Sequence, residues 1–493
     1  MNTALKPSRF NCFTKDENEN LVVCNSLTGR MCIIHKKYAD EFLRYLKGEQ
    51  EIPGNIRQTF LKNNYFLRAD ADELALYKSA CNRYYDSPIL ELSILPTHQC
   101  NCRCVYCYED FQSGILSEAD QEALVRFVKI QMRRCSSLHV GWFGGEPLVA
   151  MDVIRNLSKK FMAICKAMHK PYSASITTNG TLLTCDIFSE LQNYGVISYQ
   201  ITIDGMKDVH DVQRPLVGKG SSYDMIMRNL KEIKARTQAR TFNVYLRINL
   251  TKRSFSEIEA YLGELNEGFG GDARFPVTIC MAADWGGDRI ADYKENLFEE
   301  DDRYYDVRKS IYRLIRDKHY DLSVSGVGGR YLGMLSLNTG CYVNKKNFYT
   351  IDHDGTVYKC AQQIRQNFPP LGKLQDFDGP EDFLLEQSKW ESVIYPVIPE
   401  KCENCRLLPL GCWGASACPL AKFAAKYHVV SPEQAAALCD ENTENKPVGR
   451  DDPKEKKICF LEKYDLDTVL RMAAQEFEGA VIDKIYEEGK RNL

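Results

Sequence analysis

The chain has 493 residues, 44% of them hydrophobic, and a formal net charge of −3. Its length is too great for one small core and predicts roughly two to four domains. The charge leaves no basic surface for nucleic acid, and no apolar stretch approaches membrane-spanning length. The first ten residues carry two basic side chains without a following apolar run, so no signal peptide is expected. We therefore expect a cytoplasmic protein without nucleic-acid or membrane partners.

Cysteine is abundant, at 20 residues. In a reducing cytoplasm, clustered cysteines are more often metal ligands or catalytic groups than disulfides. Some cysteines stand singly, and we expect these to be small buried hydrophobic residues. They are Cys12, Cys24, Cys32, Cys81, Cys102, Cys135, Cys165, Cys185 and Cys280.

Residues 1–85 predict a small domain in which three short strands precede helices. The strands are expected at 8–14, 21–25 and 31–34, and the helices near 37–47, near 54–63 and up to about residue 85. This order is typical of a winged helix, which can bind DNA, pair an exposed strand edge with a peptide, or serve a structural role. The lack of basic clusters argues against DNA, so we favour peptide recognition.

Residues 86–285 alternate strand-like and helical runs. Strands are predicted at 90–95, 138–143, 173–177, 197–203, 243–249 and 276–281, with helices near 117–134, 151–168, 184–194, 222–236 and 254–264. Six such repeats predict an α/β fold with a parallel sheet, as a partial (β/α)6 TIM barrel whose active residues lie at the C-terminal strand ends. Residues 286–340 are interpreted as a bridging insertion, 341–464 as a cysteine-rich domain and 465–493 as a C-terminal helix.

The first barrel strand is followed by Cys100, Cys104 and Cys107, a C-x3-C-x2-C pattern with Tyr106 before the last cysteine. Three thiolates are one short of the set that closes a four-iron cluster, which leaves one iron open for an exogenous ligand. At these residues the chain resembles the radical S-adenosylmethionine (SAM) superfamily. The resemblance implies a catalytic [4Fe-4S] cluster on this triad, with SAM at the open iron.

The same resemblance implies that residues at later strand ends bind SAM. Gly144, Gly145 and Glu146 end the second strand, where the family holds the methionine amino group, and Thr202 stands where relatives more often have Ser. The remaining implied contacts are Tyr106, Thr178, Asn179, Asp204, Arg214, Arg247 and Asn249. Without a ligand, these strand ends would simply be turns at the barrel rim.

The C-terminal cysteines resemble the auxiliary-cluster domain called SPASM, although two of their spacings are longer than usual. A zinc ribbon is the alternative, because paired C-x2-C sets also suit tetrahedral zinc. The resemblance implies a first auxiliary cluster on Cys341, Cys360 and Cys418, and a second on Cys402, Cys405, Cys412 and either Cys459, which we favour, or Cys439. Residues 325–340 contain no cysteine, so Cys439 closes the first cluster or one iron stays open for a substrate thiolate.

Four further groups near these motifs could move protons: His98, Asp204, Asp352 and Asp354. We expect each of them to be structural. Asp354-Gly355, for example, is a turn signal before the strand that leads to Cys360.

Taken over its length, the chain resembles radical SAM maturases of ribosomally made peptides (RiPPs), with an N-terminal leader-recognition element, and within them the thioether-forming sactipeptide and ranthipeptide synthases. The resemblance implies SAM, three [4Fe-4S] clusters, a flavodoxin or ferredoxin reductant, and a Cys-containing precursor peptide with a leader. A 5′-deoxyadenosyl radical would remove hydrogen from an unactivated peptide carbon, and a Cys thiolate would then bond to that carbon. The alternatives are carbon–carbon crosslinking, oxidation of Cys or Ser to formylglycine, and a non-catalytic iron–sulfur or peptide-binding protein.

Overall fold

The computed structural model describes residues 4–394 with internal gaps, together with Leu420, Phe423, Lys426, Tyr427 and Leu470. The gaps fall at 110, 238–240, 285–287, 299–306, 308–309, 312, 316, 326–340, 366–367 and 380. Six of the predicted auxiliary ligands therefore lie outside the described residues, as does nearly all of the predicted C-terminal helix. These ligands are Cys402, Cys405, Cys412, Cys418, Cys439 and Cys459.

The N-terminal part contains strands and helices where the sequence predicts them. They are β1 (Leu5–Pro7), β2 (Asn11–Lys15), β3 (Leu21–Asn25), β4 (Arg30–Ile34), α1 (Lys36–Leu46), α2 (Gly54–Lys62), β5 (Phe66–Arg68) and α3 (Glu73–Tyr85). Strands β2, β3 and β4 form an antiparallel sheet in that order, and β1 pairs with β5. The rings of Phe42, Tyr45 and Phe60 lie buried together, so the helices pack on the sheet through an aromatic core.

The central sheet carries the six predicted barrel strands. They are β6 (Ile89–Ile94), β7 (Ser137–Trp142), β8 (Tyr172–Thr178), β9 (Val196–Thr202), β10 (Asn243–Leu250) and β11 (Val277–Met281). Each pairs in parallel with the next. The helices between them are α4 (Glu118–Gln131), α5 (Met151–Ala167), α6 (Cys185–Asn193), α7 (Lys207–Gln213), α8 (Ser222–Arg236), α9 (Lys252–Phe255) and α10 (Ile258–Phe269). The prediction of an α/β fold with a mostly parallel sheet is confirmed.

Alternation along the strands separates an apolar face from a polar one. In β7, Leu138, Val140 and Trp142 are buried in the core. The intervening His139 points the other way, and its ring lies 2.9 Å from the Ser173 hydroxyl on β8. Because successive side chains of a strand face opposite sides of the sheet, the helices cover the apolar face and the inner face is polar. Polar ligands can therefore meet polar groups inside the curve of the sheet.

The sheet continues beyond the barrel strands at both edges. The later elements are α11 (Asp288–Ala291), β12 (Val324–Ser325), β13 (Phe348–Ile351), β14 (Thr356–Tyr358), α12 (Ala361–Arg365), β15 (Gly372–Lys373) and α13 (Leu384–Ile394). Strand β12 lies beside β11, and β13 runs parallel to β6, followed by antiparallel β14 and β15. The first strands after Cys341 thus lie directly beside the strand that leads to the cysteine triad. Across the described helices, none is both long and apolar enough to cross a membrane.

Candidate active site

The triad loop leaves the C-terminal end of β6 and runs alongside the segment that follows α7. The backbone N–H of Arg103 donates to the Pro215 carbonyl over 2.8 Å, and that of Val105 to the Gln213 carbonyl over 2.9 Å. The N–H of Val217 returns a bond to the Asn101 carbonyl over 2.8 Å. The backbone of the loop is therefore fixed on a second chain segment over most of its length.

The three triad thiols differ in their affinity for a proton. The Cys102 thiol hydrogen-bonds to Cys100 and lowers the pKa of the Cys100 thiol to about 6, against the effect of burial. Burial raises the pKa of Cys104 to about 11 and that of Cys107 to about 12, and neighbouring thiols add to both shifts. Since a bound metal strongly favours the thiolate, iron would have to displace the protons of the last two.

The donor types of the triad fit a four-iron cluster. Among the described residues, a compact group with ligand atoms within 4.8 Å of one another is formed by His98, Asp352 and His353. Three soft thiolates with one missing partner are the donor set of a four-iron cluster with an open iron. The buried guanidinium of Arg214 partly offsets the burial that raises the pKa of Cys104, and it adds to the lowering of the pKa of Cys100 that the Cys102 hydrogen bond causes. Its positive charge would therefore stabilise the negative charge of thiolates at this site.

Gly144 and Gly145 bring the end of β7 against the chain that enters the triad. Gly144 has a φ of +103°, and a Cβ on it would lie 2.6 Å from the Thr97 carbonyl oxygen. A Cβ on Gly145 would lie 2.4 Å from the His98 carbonyl oxygen. Adjacent glycines allow another group to approach the backbone closely. In the structure, the partner that approaches this closely is the chain itself, and the N–H of Gly145 donates to the Thr97 carbonyl over 3.1 Å.

Glu146 is fully buried, and its carboxylate ties the second strand end to the third. It accepts hydrogen bonds from the Leu148 N–H over 3.0 Å, the Thr178 hydroxyl over 2.7 Å and the Asn179 N–H over 2.7 Å. Burial raises the pKa of the carboxyl to about 7, although these bonds favour its charged form. A carboxylate has about four acceptor sites, so one remains for the amino group that the sequence predicts here.

Asn179 links this glutamate to the first triad cysteine. Its side-chain amide donates to Asn101 Oδ1 over 2.8 Å and approaches the Cys100 sulfur at 3.7 Å. Asn101 in turn donates to the Thr181 hydroxyl over 2.8 Å. Asn101 and Thr181 are not among the predicted site residues, although Asn101 directly follows Cys100 and Thr181 stands two positions after Asn179.

The other predicted cofactor contacts converge on the hydroxyl of Tyr106. This hydroxyl contacts Asp204 on one side and accepts from Arg214 over 2.7 Å and from Asn249 over 3.2 Å. Arg247 donates to Asn249 Oδ1 over 2.9 Å and so joins the group from its rim. Thr202 is buried on β9 and pairs in register with Arg247. Five predicted ligand contacts therefore form one hydrogen-bonded network, which consists of Tyr106, Asp204, Arg214, Arg247 and Asn249.

Three of the groups expected to be structural have structural contacts. His98 Nε2 lies 2.7 Å from Asp352 Oδ1, and His353 Nδ1 lies 3.0 Å from the same oxygen. Asp352 opens the β13–β14 turn, so this group attaches the hairpin to the triad loop. Asp354 caps the turn by accepting from the Thr356 N–H over 3.0 Å, and it pairs with Lys373 at 2.7 Å.

Two of the predicted auxiliary ligands are described, and they flank this hairpin. Cys341 is exposed and precedes β13, whereas Cys360 is buried and follows β14. Burial raises the pKa of Tyr342, and both thiols add to the shift, which places the two cysteines around one tyrosine. Cys360 also contributes to the raised pKa of Tyr108, next to Cys107 in the triad loop, although burial is the main cause. The single cysteines are buried as predicted, except that Cys280 is half-buried.

Sequence comparison relates the barrel region to a known family. Residues 94–262 match the family described as Radical SAM superfamily. Fe-coproporphyrin III synthase of Methanosarcina barkeri (strain Fusaro / DSM 804) is 26% identical over 176 residues, which are 35% of this chain and 39% of that protein. The chain therefore spans well under half the length of that relative.

Two further similarities extend over more of the chain. The cysteine-type anaerobic sulfatase-maturating enzyme of Clostridium novyi (strain NT) is 27% identical over 356 residues, covering 65% of this chain and 86% of that enzyme. The solved structure of native anSMEcpe with bound AdoMet and Cp18Cys peptide superposes with a TM-score of 0.52 at 16% identity, covering 72% of this chain and 100% of that one. At this identity the superposition establishes the fold alone.

Proposed function

We propose that this chain, whose residues 94–262 match the radical SAM superfamily, modifies a ribosomally made precursor peptide. The modification would join a Cys sulfur to an unactivated carbon of the peptide. The observation that carries the radical SAM part is the polar network between the triad and the strand ends, which joins Glu146 and Asn179 to Cys100. In this proposal residues 1–85 recognise the leader of the peptide, and the protein works in the cytoplasm.

The residues of this chain would bind and orient the cofactors. Cys100, Cys104 and Cys107 would hold the [4Fe-4S] cluster, and the open acceptor site on Glu146 would take the methionine amino group of SAM. When bound, the reduced cluster supplies the electron that cleaves SAM to methionine and a 5′-deoxyadenosyl radical. The helices exclude water from the apolar face of the sheet, while the polar inner face would present hydrogen-bonding groups to the ligand.

The thioether would form at the expense of one C–H and one S–H bond of the peptide. The bound cofactors would supply the acceptor for the hydrogen atom of the C–H bond, the thiol would give up its proton, and the carbon would bond to the sulfur. One electron is left over, for which an auxiliary cluster is the proposed acceptor. This step is supported by the lack of cysteine in residues 325–340. Unless Cys439 supplies the fourth ligand, the first auxiliary cluster has one iron open, and a substrate thiolate could bind there.

A second candidate is the oxidation of a Cys side chain to formylglycine. The similarity to the cysteine-type sulfatase-maturating enzyme favours it, because the match covers 86% of that enzyme. The binding of a peptide by anSMEcpe supports a peptide substrate under either candidate. Against formylglycine stands the N-terminal unit, which matches the leader-recognition role in the first proposal.

Mass spectrometry of a co-expressed Cys-containing candidate peptide separates the candidates after anaerobic reaction with SAM and dithionite. A thioether removes two hydrogens per Cys and blocks alkylation of that Cys. A carbon–carbon crosslink also removes two hydrogens but leaves the thiol open to alkylation, and formylglycine formation removes the sulfur. An unchanged peptide mass would reject peptide modification.

The same reaction tests whether the chain is an enzyme at all. Cys104→Ala should abolish 5′-deoxyadenosine formation, whereas Cys185→Ala, which changes a buried cysteine at the start of α6, should preserve it. A purified protein that holds zinc without sulfide, and that releases no 5′-deoxyadenosine, would instead be a metal-binding or peptide-binding protein.

A further inference from the structure

We infer that Tyr106 is a positioning residue, whose hydroxyl fixes the Cys104–Cys107 half of the triad loop on the ends of β9 and β10. The inference rests on the proposed function, since it concerns the same cluster site. It gives the Tyr106 hydroxyl and the Asp204 carboxylate a role in supporting the cysteines, beside the SAM contacts that the resemblance implies.

The hydroxyl of Tyr106 uses its whole hydrogen-bonding capacity inside the protein. A phenol has one donor hydrogen and two acceptor lone pairs. The hydrogen is directed to Asp204 Oδ2, while Arg214 Nη1 donates over 2.7 Å and Asn249 Nδ2 over 3.2 Å. The donor hydrogen and the two acceptor lone pairs each have a partner on a different part of the chain, so the hydroxyl oxygen of Tyr106 is held in place from three directions.

The partners of the hydroxyl are themselves held in place. Asp204 is fully buried, its Oδ1 accepts from the Asn249 N–H over 2.9 Å, and its own N–H donates to His210 Nδ1 over 3.1 Å. Arg214 is buried, and its carbonyl accepts from the Ser222 hydroxyl over 2.8 Å. The network therefore has a rigid base in strands β9 and β10 and in the segment after α7.

The same network borders the triad cysteines. Tyr106 lies between Cys104 and Cys107 in the chain, and the neighbouring N–H of Val105 is bonded to Gln213. One side of the ring packs against the apolar side chains of Ala282, Ile290 and Leu297. Removal of the hydroxyl would leave the buried groups of Asp204 and Arg214 with an unfilled partner position. The loop would then be held by its backbone bonds to residues 213–217 without the side-chain attachment to the ends of β9 and β10.

The test compares Tyr106→Phe with Tyr245→Phe in the full-length protein loaded with iron and sulfide. Tyr245 is a half-buried tyrosine of β10 outside the network, so it controls for the loss of a phenol hydroxyl. We measure the rate at which a ferrous chelator removes iron, with Cys104→Ala marking the iron that does not belong to the triad. The expected result is a release of triad iron about tenfold faster in Tyr106→Phe, as for the loss of one buried hydrogen bond, and an unchanged rate in Tyr245→Phe.

The second measurement is the binding of SAM to Tyr106→Phe protein that still holds its triad cluster. Binding is followed by the change in the electron paramagnetic resonance signal of that cluster. The dissociation constant of SAM should change less than about threefold, because little binding energy is removed. A normal iron-release rate with SAM binding weakened tenfold or more would overturn the inference and leave only the contact role.

Asp204→Asn provides a second variant, since it keeps the shape of the side chain but removes the charge beside Arg214. It should also release triad iron faster than the wild type. Loss of all iron together with loss of helical circular dichroism in both variants would count against the inference, which requires a local effect. None of these measurements uses a peptide, so their failure is distinct from a failure of the proposed function.

Discussion

Gly145 shows at the scale of one residue why the sequence Gly-Gly-Glu stands at the end of the second barrel strand. The position tolerates no side chain, because the carbonyl oxygens of His98 and Gln99 would lie 2.4 and 2.5 Å from a Cβ. These atoms belong to the backbone just before Cys100, so they cannot rotate away. The glycine thus sets the distance between β7 and the triad loop.

Gly145→Ala should therefore displace the triad loop and destabilise the protein by at least about 2 kcal/mol, as overpacking does. Iron loading of the triad should fall with it. The matched control is Gly268→Ala in α10, where a Cβ meets nothing within 4 Å and alanine should add about 0.5–1 kcal/mol of stability. Thermal unfolding and iron analysis of both variants measure these effects. Equal stability of the two variants would contradict the close packing at Gly145.

Glu146 should make the stability of the protein depend on pH. Its pKa is about 7 in the folded chain because the carboxyl is buried, against 4.5 ordinarily. Between these values the folded state holds a proton that the unfolded state has released, so stability falls as pH rises from about 4.5 to 7. A change of this size corresponds to a difference on the order of 3 kcal/mol.

Glu146→Gln should remove this dependence, because the amide does not titrate. The melting temperature of the wild type relative to the variant should therefore drop between pH 5 and pH 8. Glu190→Gln serves as the control, since Arg155 lowers the pKa of Glu190 and its carboxyl is charged in both states over this range. A wild-type curve parallel to that of Glu146→Gln from pH 5 to 8 would show that the carboxyl does not hold its proton.

Prediction of single residues from the sequence is strongest where a residue type has few roles. Three spaced cysteines after a strand predict a metal cluster, and the structure brings Gly145 against the chain that enters this triad. The sequence does not show that Tyr106 contacts Asp204 and Asn249, because these two residues lie 98 and 143 positions after it along the chain. Contacts of that range depend on the closing of the sheet, so residues that support each other resemble separate ligand contacts.

At the scale of elements, the attachment of the β13–β14 hairpin depends on Asp352. This buried carboxylate contacts the ring of His98, which lies just before the cysteine triad, and the ring of His353 in its own turn. Although burial opposes its charge, hydrogen bonds from both histidines hold the pKa of Asp352 well below its usual range. The hairpin and the triad loop therefore share a charged anchor in addition to the pairing of β13 with β6.

Asp352→Ala should loosen the hairpin, at a cost of about 3 kcal/mol for a broken buried pair. Hydrogen exchange followed by mass spectrometry should show faster exchange in residues 348–358 and unchanged exchange in α5. Asp354→Asn is the control two positions away, because it keeps an acceptor for the Thr356 N–H and removes only the charge that pairs with half-exposed Lys373, at a cost of about 1 kcal/mol or less. If both variants exchanged at the same rate in the hairpin, the anchor would have no special role.

The strands can be predicted from local sequence patterns, whereas the pairing between distant strands cannot. The six barrel strands follow from runs of alternating apolar residues such as Leu138, Val140 and Trp142, which are read within a few positions. The pairing of β13 with β6 joins residues about 257 positions apart, for instance Ile351 with Ile94. Nothing in either short strand specifies such a partner, so we expected a separate domain from residue 341, whereas its first strands extend the barrel sheet.

For the whole molecule, this shared sheet brings two chemical regions together. Cys360 follows β14, and its thiol lies close enough to Tyr108 of the triad loop to affect the pKa of that tyrosine. If Cys341 and Cys360 hold an auxiliary cluster, that cluster lies beside the barrel rather than on a distant domain. An electron left over from bond formation at the barrel would then have an acceptor on the same sheet.

Cys360→Ala tests this arrangement because it separates the auxiliary site from the triad. Three four-iron clusters predict about twelve iron atoms per chain, and the variant should hold about eight. It should still release 5′-deoxyadenosine, since the triad is intact, but form little crosslinked peptide, because the surplus electron has lost its acceptor. Cys280→Ala, at a half-buried cysteine of β11 outside the predicted ligand sets, should match the wild type in iron and product. Full iron content in Cys360→Ala would remove this cysteine from the ligand set, and full product formation with less iron would show that the surplus electron leaves by another route.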